Sequence, residues 1–250
     1  MQRFGTFVLV FLGFFAPAQV YAQSSIATYG GFWSGLPVGT VTLIHTQVDG
    51  SYSFSMTLES GGILGSRFTT TFVADGQVDG IEVSPTRARF IDSRRGETRT
   101  ETISYDRRGL PSFSSTPAYI VPPEFEFDIE RARGSLDPTS GLFALLNAAA
   151  LGECEQRFIV YDGFSLFSAQ ITDEGMVRVN NDVYEGQAQK CRLRLTPIAG
   201  KAAVFGSFTI PEMEVAAAVV SPNTPAIPVH GALFINGDRA GLRFRTFEAR

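Results

Sequence analysis

Short turn signals divide this chain into segments. Asp-Gly occurs four times and Asn-Gly once, at residues 49–50, 75–76, 79–80, 162–163 and 236–237. Both dipeptides favour positive φ angles and close tight β-hairpins. Between them lie alternating segments rich in Thr, Val, Phe and Ile, which is typical of half-buried strands. The sequence therefore predicts a mainly β fold built as an antiparallel meander of about a dozen strands.

The first hairpin predicts its own register. A two-residue turn at Asp49-Gly50 pairs Val48 with Ser51 and, further along, His45 with Phe54. One face of the hairpin then collects the apolar side chains, while Thr and Ser dominate the other face. Because opposed residues share a face, agreement across the turn supports this register. The predicted core face is Val41, Leu43, Tyr52, Phe54, Met56 and Leu58.

The hairpin at Asp162-Gly163 is apolar on both faces, so both faces need a cover. A two-residue turn there pairs Tyr161 with Phe164 and Val160 with Ser165. The predicted cover is a helix over 138–151, with Asp137 as its cap and Gly152 at its end. We expect a large curved antiparallel sheet, or a partly closed β-barrel, wrapping this one short helix. The proline-rich residues 110–135 are the predicted crossover between two halves of a single domain.

Residues 1–22 have the pattern of a cleaved signal peptide. Arg3 precedes an apolar run from Phe4 to Phe15, which is too short to span a bilayer, and Val20-Tyr21-Ala22 fits a cleavage site. The alternative is an uncleaved N-terminal anchor. We expect residues 23–250 to form a single β-rich domain in the periplasm of a Gram-negative bacterium, with no later membrane span. The net charge of −4 gives no indication of nucleic-acid binding.

Two cysteines, Cys154 and Cys191, fit an oxidising compartment. We predict that they form a disulfide, and the alternative is a pair of unrelated buried thiols. Their spacing is neither a CxxC redox motif nor a zinc pattern, so we predict no metal site and no cofactor.

The two histidines offer little chemistry. His45 falls on the apolar face of the first hairpin and is predicted to be a core residue with one hydrogen bond. A four-residue loop in the last hairpin would pair His230 with Arg245 and place Arg243 diagonally. These three residues are a candidate anion patch, and a solvated face is the alternative.

The remaining motifs do not indicate catalysis. There is neither a Gly-x-Ser-x-Gly elbow nor a His-Glu-x-x-His helix, so no catalytic residue is predicted. Residues 87–108 contain seven arginines and four acidic residues, which favours cross-strand ion pairs on a solvent-exposed face. Recognition of an anionic envelope polymer or lipid headgroup is the alternative for this stretch.

Several segments together resemble a known family. They are Asp137-Pro138 at a helix start, Tyr161-Asp162-Gly163 after Cys154, and residues 184–191 ending in Cys191 followed by Pro197 to Gly200. In these features the chain resembles the bacterial exported domain of unknown function numbered 3108, over most of 28–248. Pro228-Val229-His230 is similar too, although Arg is expected at its third place. The resemblance implies location and a β-rich fold like periplasmic half-barrels or lipocalins, and no chemistry.

A curved sheet with an aromatic-rich inner face suits a carrier. We therefore expect a non-catalytic binding module for an apolar or amphipathic envelope ligand such as a lipid. The alternatives are a structural or assembly factor of the cell envelope and, least favoured, a hydrolase. The competing outcome for the interior is a dry, filled core. The expected cavity lining is Leu43, Tyr52, Phe54, Met56, Phe143 and Leu146.

Overall fold

The fold is given by a computed structural model. It describes residues 23–60, 68–201, 212–221, 224–235 and 238–249. The signal peptide predicted over residues 1–22 lies outside these ranges, so its cleavage stays a prediction.

Within the described residues, thirteen strands form one antiparallel sheet, in the order β7-β6-β5-β4-β3-β2-β1-β13-β12-β11-β10-β9-β8. Each half is a meander of sequence neighbours, and the pairing of β1 with β13 joins the halves. The sheet is open, with β7 and β8 at its edges. This confirms the predicted fold class. The strands are β1 (Gln23–Trp33), β2 (Leu36–Val48), β3 (Ser51–Ser60), β4 (Phe68–Asp79), β5 (Glu82–Arg94), β6 (Glu97–Tyr105), β7 (Pro111–Thr116), β8 (Gln156–Tyr161), β9 (Ser165–Asn180), β10 (Glu185–Gly200), β11 (Glu212–Ala218), β12 (Ile227–Ile235) and β13 (Asp238–Ala249).

The first hairpin has the predicted register. Val48 pairs with Ser51, and His45 pairs with Phe54. Asp49 and Gly50 have φ angles of 48° and 75°, the left-handed values that a tight hairpin turn needs. The register predicted from the Asp49-Gly50 turn is therefore confirmed.

One Asp-Gly turn prediction is wrong. Asp75-Gly76 lies inside β4, where the pairing with β5 shifts register between the two residues. A Cβ on Gly76 would lie 2.7 Å from Cε1 of Tyr52. This glycine therefore permits a bulge and a close side-chain approach, which are the other common roles of glycine in a strand.

The hairpin at Asp162-Gly163 is also longer than predicted. Tyr161 pairs with Leu166 and Val160 with Phe167, so four residues form the loop. The cause is the Asp162 side chain, whose Oδ1 accepts hydrogen bonds from the backbone N–H of Phe164 at 2.8 Å and of Ser165 at 2.7 Å. The shift is two residues, so the faces of both strands stay as predicted.

The helix α1 (Pro138–Leu151) lies on the concave side of the sheet, as expected. Asp137 caps it through hydrogen bonds from the backbone N–H of Thr139 and Ser140, each 2.9 Å. Gly152, with a φ angle of 72°, ends it. Phe143, Leu145, Leu146, Ala148 and Ala149 of the helix belong to the main hydrophobic core.

The two sheet edges meet through side chains and through the segment between the halves. This segment holds two short 3-10 helices, Pro123–Phe125 and Ile129–Ala132, ahead of α1. Leu136 exchanges backbone hydrogen bonds with β8, and the rings of Phe113 and Phe164 lie 4.7 Å apart. The barrel is thus partly closed, by packing rather than by strand pairing between β7 and β8.

Cys154 and Cys191 form the predicted disulfide. Their Cα atoms are 5.5 Å apart, within the usual range for a bridge. The bond ties the chain just after α1 to the middle of β10. It therefore fixes the helix against the sheet that wraps it.

A candidate apolar cavity

A cavity of about 340 Å³ lies between α1 and the concave face of the sheet. It occupies the end of the barrel where β1 ends and β2 begins. Three strands from each half of the sheet contribute to its wall. The lining residues are Tyr29, Gly31, Phe32, Trp33, Val38, Val41, Leu43, Met56, Leu58, Leu142, Leu146, Met213, Glu214, Val215, Pro228, Gly231, Ala232, Leu233, Ala240, Gly241 and Leu242.

The wall of this cavity is almost entirely apolar. Its acidic member, Glu214, directs its carboxylate to the cations Arg192 and Lys190 of β10. The hydroxyl of Tyr29 donates a hydrogen bond of 2.8 Å to the carbonyl oxygen of Pro228. These two polar side chains of the wall therefore already have partners, and the cavity offers mainly apolar surface to a ligand.

The predicted lining is half correct. Leu43, Met56 and Leu146 lie at the cavity wall, whereas Tyr52, Phe54 and Phe143 do not.

These three aromatic residues fill the adjoining core instead. The rings of Tyr52 and Phe143 stack 4.2 Å apart, and Phe54 lies 5.9 Å from Phe143. The Tyr52 hydroxyl is also hydrogen-bonded to Oγ of Ser140 at 2.8 Å. The interior is thus packed at the first turns of α1 and hollow beside them, so it is neither wholly filled nor wholly open.

Sequence reasoning missed the second wall of the cavity. Strands β11, β12 and β13 supply it, and they reach β1 only through the β1–β13 pairing. No local signal along the chain specifies this pairing, because it joins residues that are more than 200 positions apart.

His45 is a core residue, as predicted. It is 5% exposed, and its ring packs against Phe54 and Phe143. Its Nδ1 bonds to the carbonyl oxygen of Ala226 at 3.3 Å, while Nε2 has no partner among the described residues. Burial lowers the pKa of His45 to about 4, so the ring is neutral at neutral pH.

The pairing that defined the candidate anion patch is wrong. Ile235 pairs with Asp238, so the turn between β12 and β13 has two residues and not four. His230 lies beside Ala216 of β11. Its pKa is lowered, mainly by burial and to a lesser degree by the positive charge of Arg239. Arg243 instead stacks on the ring of Phe32 at 4.9 Å. Arg245 approaches Gly30 at the bulge between β1 and β13.

The arginine-rich stretch forms ion pairs, but along strands. Arg94 bonds to Asp92 and Arg99 to Glu101, each at 2.8 Å. Each pair joins neighbours two residues apart on one strand, so the expectation of cross-strand pairs is wrong here. Arg94 also lies 4.9 Å above the ring of Phe68.

A second, smaller pocket of about 220 Å³ lies where the sheet edges meet. Asp137, Asp162 and Glu101 contribute to its wall, and burial raises the pKa of both aspartates. Backbone N–H groups already bond to these aspartates at the helix cap and the hairpin turn. Both aspartates are therefore buried because they stabilise a helix start and a hairpin turn.

The described residues contain neither a cluster of metal-ligating side chains nor a long apolar helix. No group of three or more His, Cys, Asp or Glu residues there could hold a metal ion. None of the helices described has the length and apolar content that a membrane-crossing helix needs.

Comparison with known proteins identifies a family and a fold. Residues 25–210 match the family described as "Protein of unknown function (DUF3108)". The solved structure of a beta-barrel-like protein of domain of unknown function DUF1849 from Brucella abortus is similar, with a TM-score of 0.58 and 10% sequence identity. The similarity covers 92% of this chain and 99% of that one, and at this identity it shows the fold alone. A comparison with curated proteins found no match.

Proposed function

The chain belongs to the DUF3108 family of proteins of unknown function, and we propose that it is an exported, non-catalytic binding module for an apolar or amphipathic ligand of the cell envelope. The observation that carries this proposal is the cavity beside α1. Its wall is almost entirely apolar, and Tyr29 and Glu214 of the wall already have polar partners, so apolar contact is what would hold a ligand there.

The size of the cavity suits a short hydrocarbon segment. Ligand pockets usually start at about 300 Å³, and this one holds about 340 Å³. An engineered apolar cavity of about 150 Å³ binds benzene. The present cavity therefore has room for roughly two such groups, which corresponds to part of an acyl or polyprenyl chain.

Filling this volume would remove apolar wall surface from water. Burial of apolar surface contributes about 25 cal/mol per Å². Contact with the wall would therefore stabilise an apolar occupant, which supports a cavity that is filled in use.

Export is supported by the chemistry of the chain. The disulfide between Cys154 and Cys191 is the kind of bond that persists in oxidising compartments. The leader pattern of residues 1–22 points the same way. The proposed ligand is therefore one found in the periplasm.

The proposal is tested by ligand titration of the purified protein with a fluorescent fatty acid. A double variant, Met56→Phe with Leu58→Phe, adds bulk at two positions of the cavity wall. The control is Ile44→Phe, which adds a ring at a residue 39% exposed to solvent on β2. We expect saturable binding by the wild type and the control, and at least tenfold weaker binding by the double variant.

Thermal melting shows whether each variant is folded. If the folded wild type gives no saturable signal, the binding function is wrong and the assembly-factor alternative replaces it. If the double variant melts like the wild type and binds equally well, the ligand does not occupy this cavity.

A further inference from the structure

The β1–β2 hairpin ends in an exposed apolar tip. We define the tip as residues 33–37, all of which are exposed. Trp33 is 36% exposed and Leu36 is 63% exposed. A two-residue turn at Ser34 and Gly35 places these two side chains on paired residues. Large apolar side chains therefore stand next to each other in solvent at the end of a hairpin.

The tip is continuous with the cavity. Phe32, Trp33 and Val38 belong to the cavity wall, whereas Leu36 lies beyond it. An apolar surface thus runs from the interior of the barrel to its outer end. A ligand entering along this surface would stay in contact with apolar atoms.

Cations flank the tip on the neighbouring strand. The backbone N–H of Ser34 donates a 3.0 Å hydrogen bond to the carbonyl oxygen of Arg239, which places Arg239 beside the turn. The guanidinium of Arg243 lies over the ring of Phe32 at 4.9 Å. Both arginines are exposed. The tip itself has no charged residue, and none occurs from Ser24 to Ile44.

This combination matches the chemistry of a bilayer surface. Trp is enriched at the boundary between headgroups and hydrocarbon, where its ring is half in each phase. Arginine binds phosphate groups through its planar fork, and anionic headgroups attract nearby cations. An uncharged tip with arginines beside it can insert its apolar residues while the cations contact phosphate.

We infer that the tip, with Arg239 and Arg243, docks the protein on an anionic phospholipid bilayer and brings the cavity against the lipid. This inference rests on the proposed function in naming where the cavity would exchange its ligand. Docking itself can be measured separately.

Trp33 is the only tryptophan of the chain, so its fluorescence reports on the tip directly. The protein is mixed with vesicles of phosphatidylcholine alone or with 30% phosphatidylglycerol, and binding is measured by co-sedimentation. We expect binding to the anionic vesicles, weaker binding at high salt, and a blue shift of the Trp33 emission. Weak binding to the uncharged vesicles is expected, because only the apolar part of the contact remains.

Leu36→Asp should lower the affinity for anionic vesicles at least tenfold. The matched control is Ile44→Asp, which changes another exposed apolar residue of the same hairpin and should leave vesicle binding unchanged. Arg239→Gln with Arg243→Gln should lower binding to anionic vesicles and reduce its salt dependence. The Met56→Phe, Leu58→Phe variant should still shift the Trp33 emission, which separates docking from ligand entering the cavity.

The outcomes of the two proposals are distinct. If the protein binds the fatty acid but does not sediment with the vesicles, docking is wrong and the binding function stands. If vesicles bind but the fatty acid does not, docking stands and the binding function is wrong. Equal loss of vesicle binding in Leu36→Asp and Ile44→Asp would also overturn docking at the tip.

Discussion

At the scale of single residues, the buried polar side chains show how far the chain tolerates polarity in its core. His45 lies among aromatic rings and makes one hydrogen bond. Asp137 is fully buried and accepts several hydrogen bonds. Burial shifts their pKa values in opposite directions, downward for the histidine and upward for the aspartate. In both cases burial favours the neutral form.

Acidification should destabilise the fold through His45. Its pKa is about 4 in the folded protein, against an ordinary value of 6.5, so the unfolded chain binds more protons between these limits. The free energy of unfolding should therefore fall as the pH drops from 6.5 to 4, by up to about 3 kcal/mol from this residue. Urea titrations of the wild type and His45→Gln across this range measure it.

The difference between wild type and His45→Gln isolates this histidine from Asp137, whose raised pKa has the opposite effect on stability. His230→Gln is the comparison variant. The pKa of His230 is lowered as well, by burial and by Arg239, so its removal should give a pH dependence of the same sign but smaller than that of His45→Gln. A stability difference for His45→Gln that does not change with pH would contradict the lowered pKa.

Removing the disulfide should cost more stability than any surface change. Cys154 and Cys191 are 37 residues apart, and closing such a loop stabilises the folded state by about 4 kcal/mol in the chain-entropy model. Cys191→Ser should thus lower the melting temperature by about 8–16 °C, since 1 kcal/mol corresponds to about 2–4 °C at this size. Calorimetry with and without reductant measures it.

Reductant should bring the wild type to the melting temperature of the variant and leave Cys191→Ser unchanged. Two alkylatable thiols in protein purified without reductant would show that the bond does not form.

At the scale of elements, the cap of α1 is a local device with a global effect. Asp137 accepts backbone hydrogen bonds from Thr139 and Ser140, and its second oxygen accepts one from the Ser140 hydroxyl at 2.5 Å. The same Ser140 hydroxyl is hydrogen-bonded to Tyr52 of β3. The start of the helix is therefore fixed to the sheet through its own cap.

Asp137→Ala should destabilise the protein by about 2 kcal/mol, at the upper end for a lost cap, because Ser140 is left buried with fewer partners. Asp137→Asn should cost much less at neutral pH. Its amide oxygen can still accept from the backbone, and burial already disfavours the charged form of Asp137. Chemical denaturation of both variants measures the difference, and equal losses would contradict this role of the cap.

The sequence was a good guide to elements wherever one local interaction decides the geometry. The cap, Pro138 and Gly152 bound the helix as predicted, and Asp49-Gly50 determines the first hairpin. The sequence-based prediction was wrong where an Asp-Gly dipeptide has another structural role. Gly76 accommodates a ring from a different strand, and Asp162 lengthens its turn by binding two backbone N–H groups. Neither contact can be inferred from spacing along the chain.

At the scale of the whole molecule, the decisive contact joins the two ends of the chain. Strands β1 and β13 pair over residues that are more than 200 positions apart, and this pairing converts two meanders into one curved sheet. Nothing local specifies it, so the wall that β11, β12 and β13 give the cavity could not be predicted. The inner face of β2 and β3 could be predicted, because it depends on a single hairpin.

A cavity that is filled in use should make the stability of the whole barrel depend on its occupant. A ligand that binds only the folded state adds about 2.7 kcal/mol when its free concentration is 100 times its Kd. At about 2–4 °C per kcal/mol, saturating the cavity should raise the melting temperature by about 5–11 °C. The measurement compares protein purified without detergent or organic solvent with the same protein after removal of bound apolar molecules.

The native preparation should release a stoichiometric lipid or polyprenyl species into organic solvent, as detected by mass spectrometry. It should also melt above the stripped protein, and adding the extract back should restore the difference. The Met56→Phe, Leu58→Phe variant is the control. The bulk it adds at the cavity wall should weaken binding, so adding the extract should raise its melting temperature less than that of the stripped wild type. If the native protein releases no such species and stripping leaves its melting temperature unchanged, the cavity is empty in the cell. The molecule would then act through its surface.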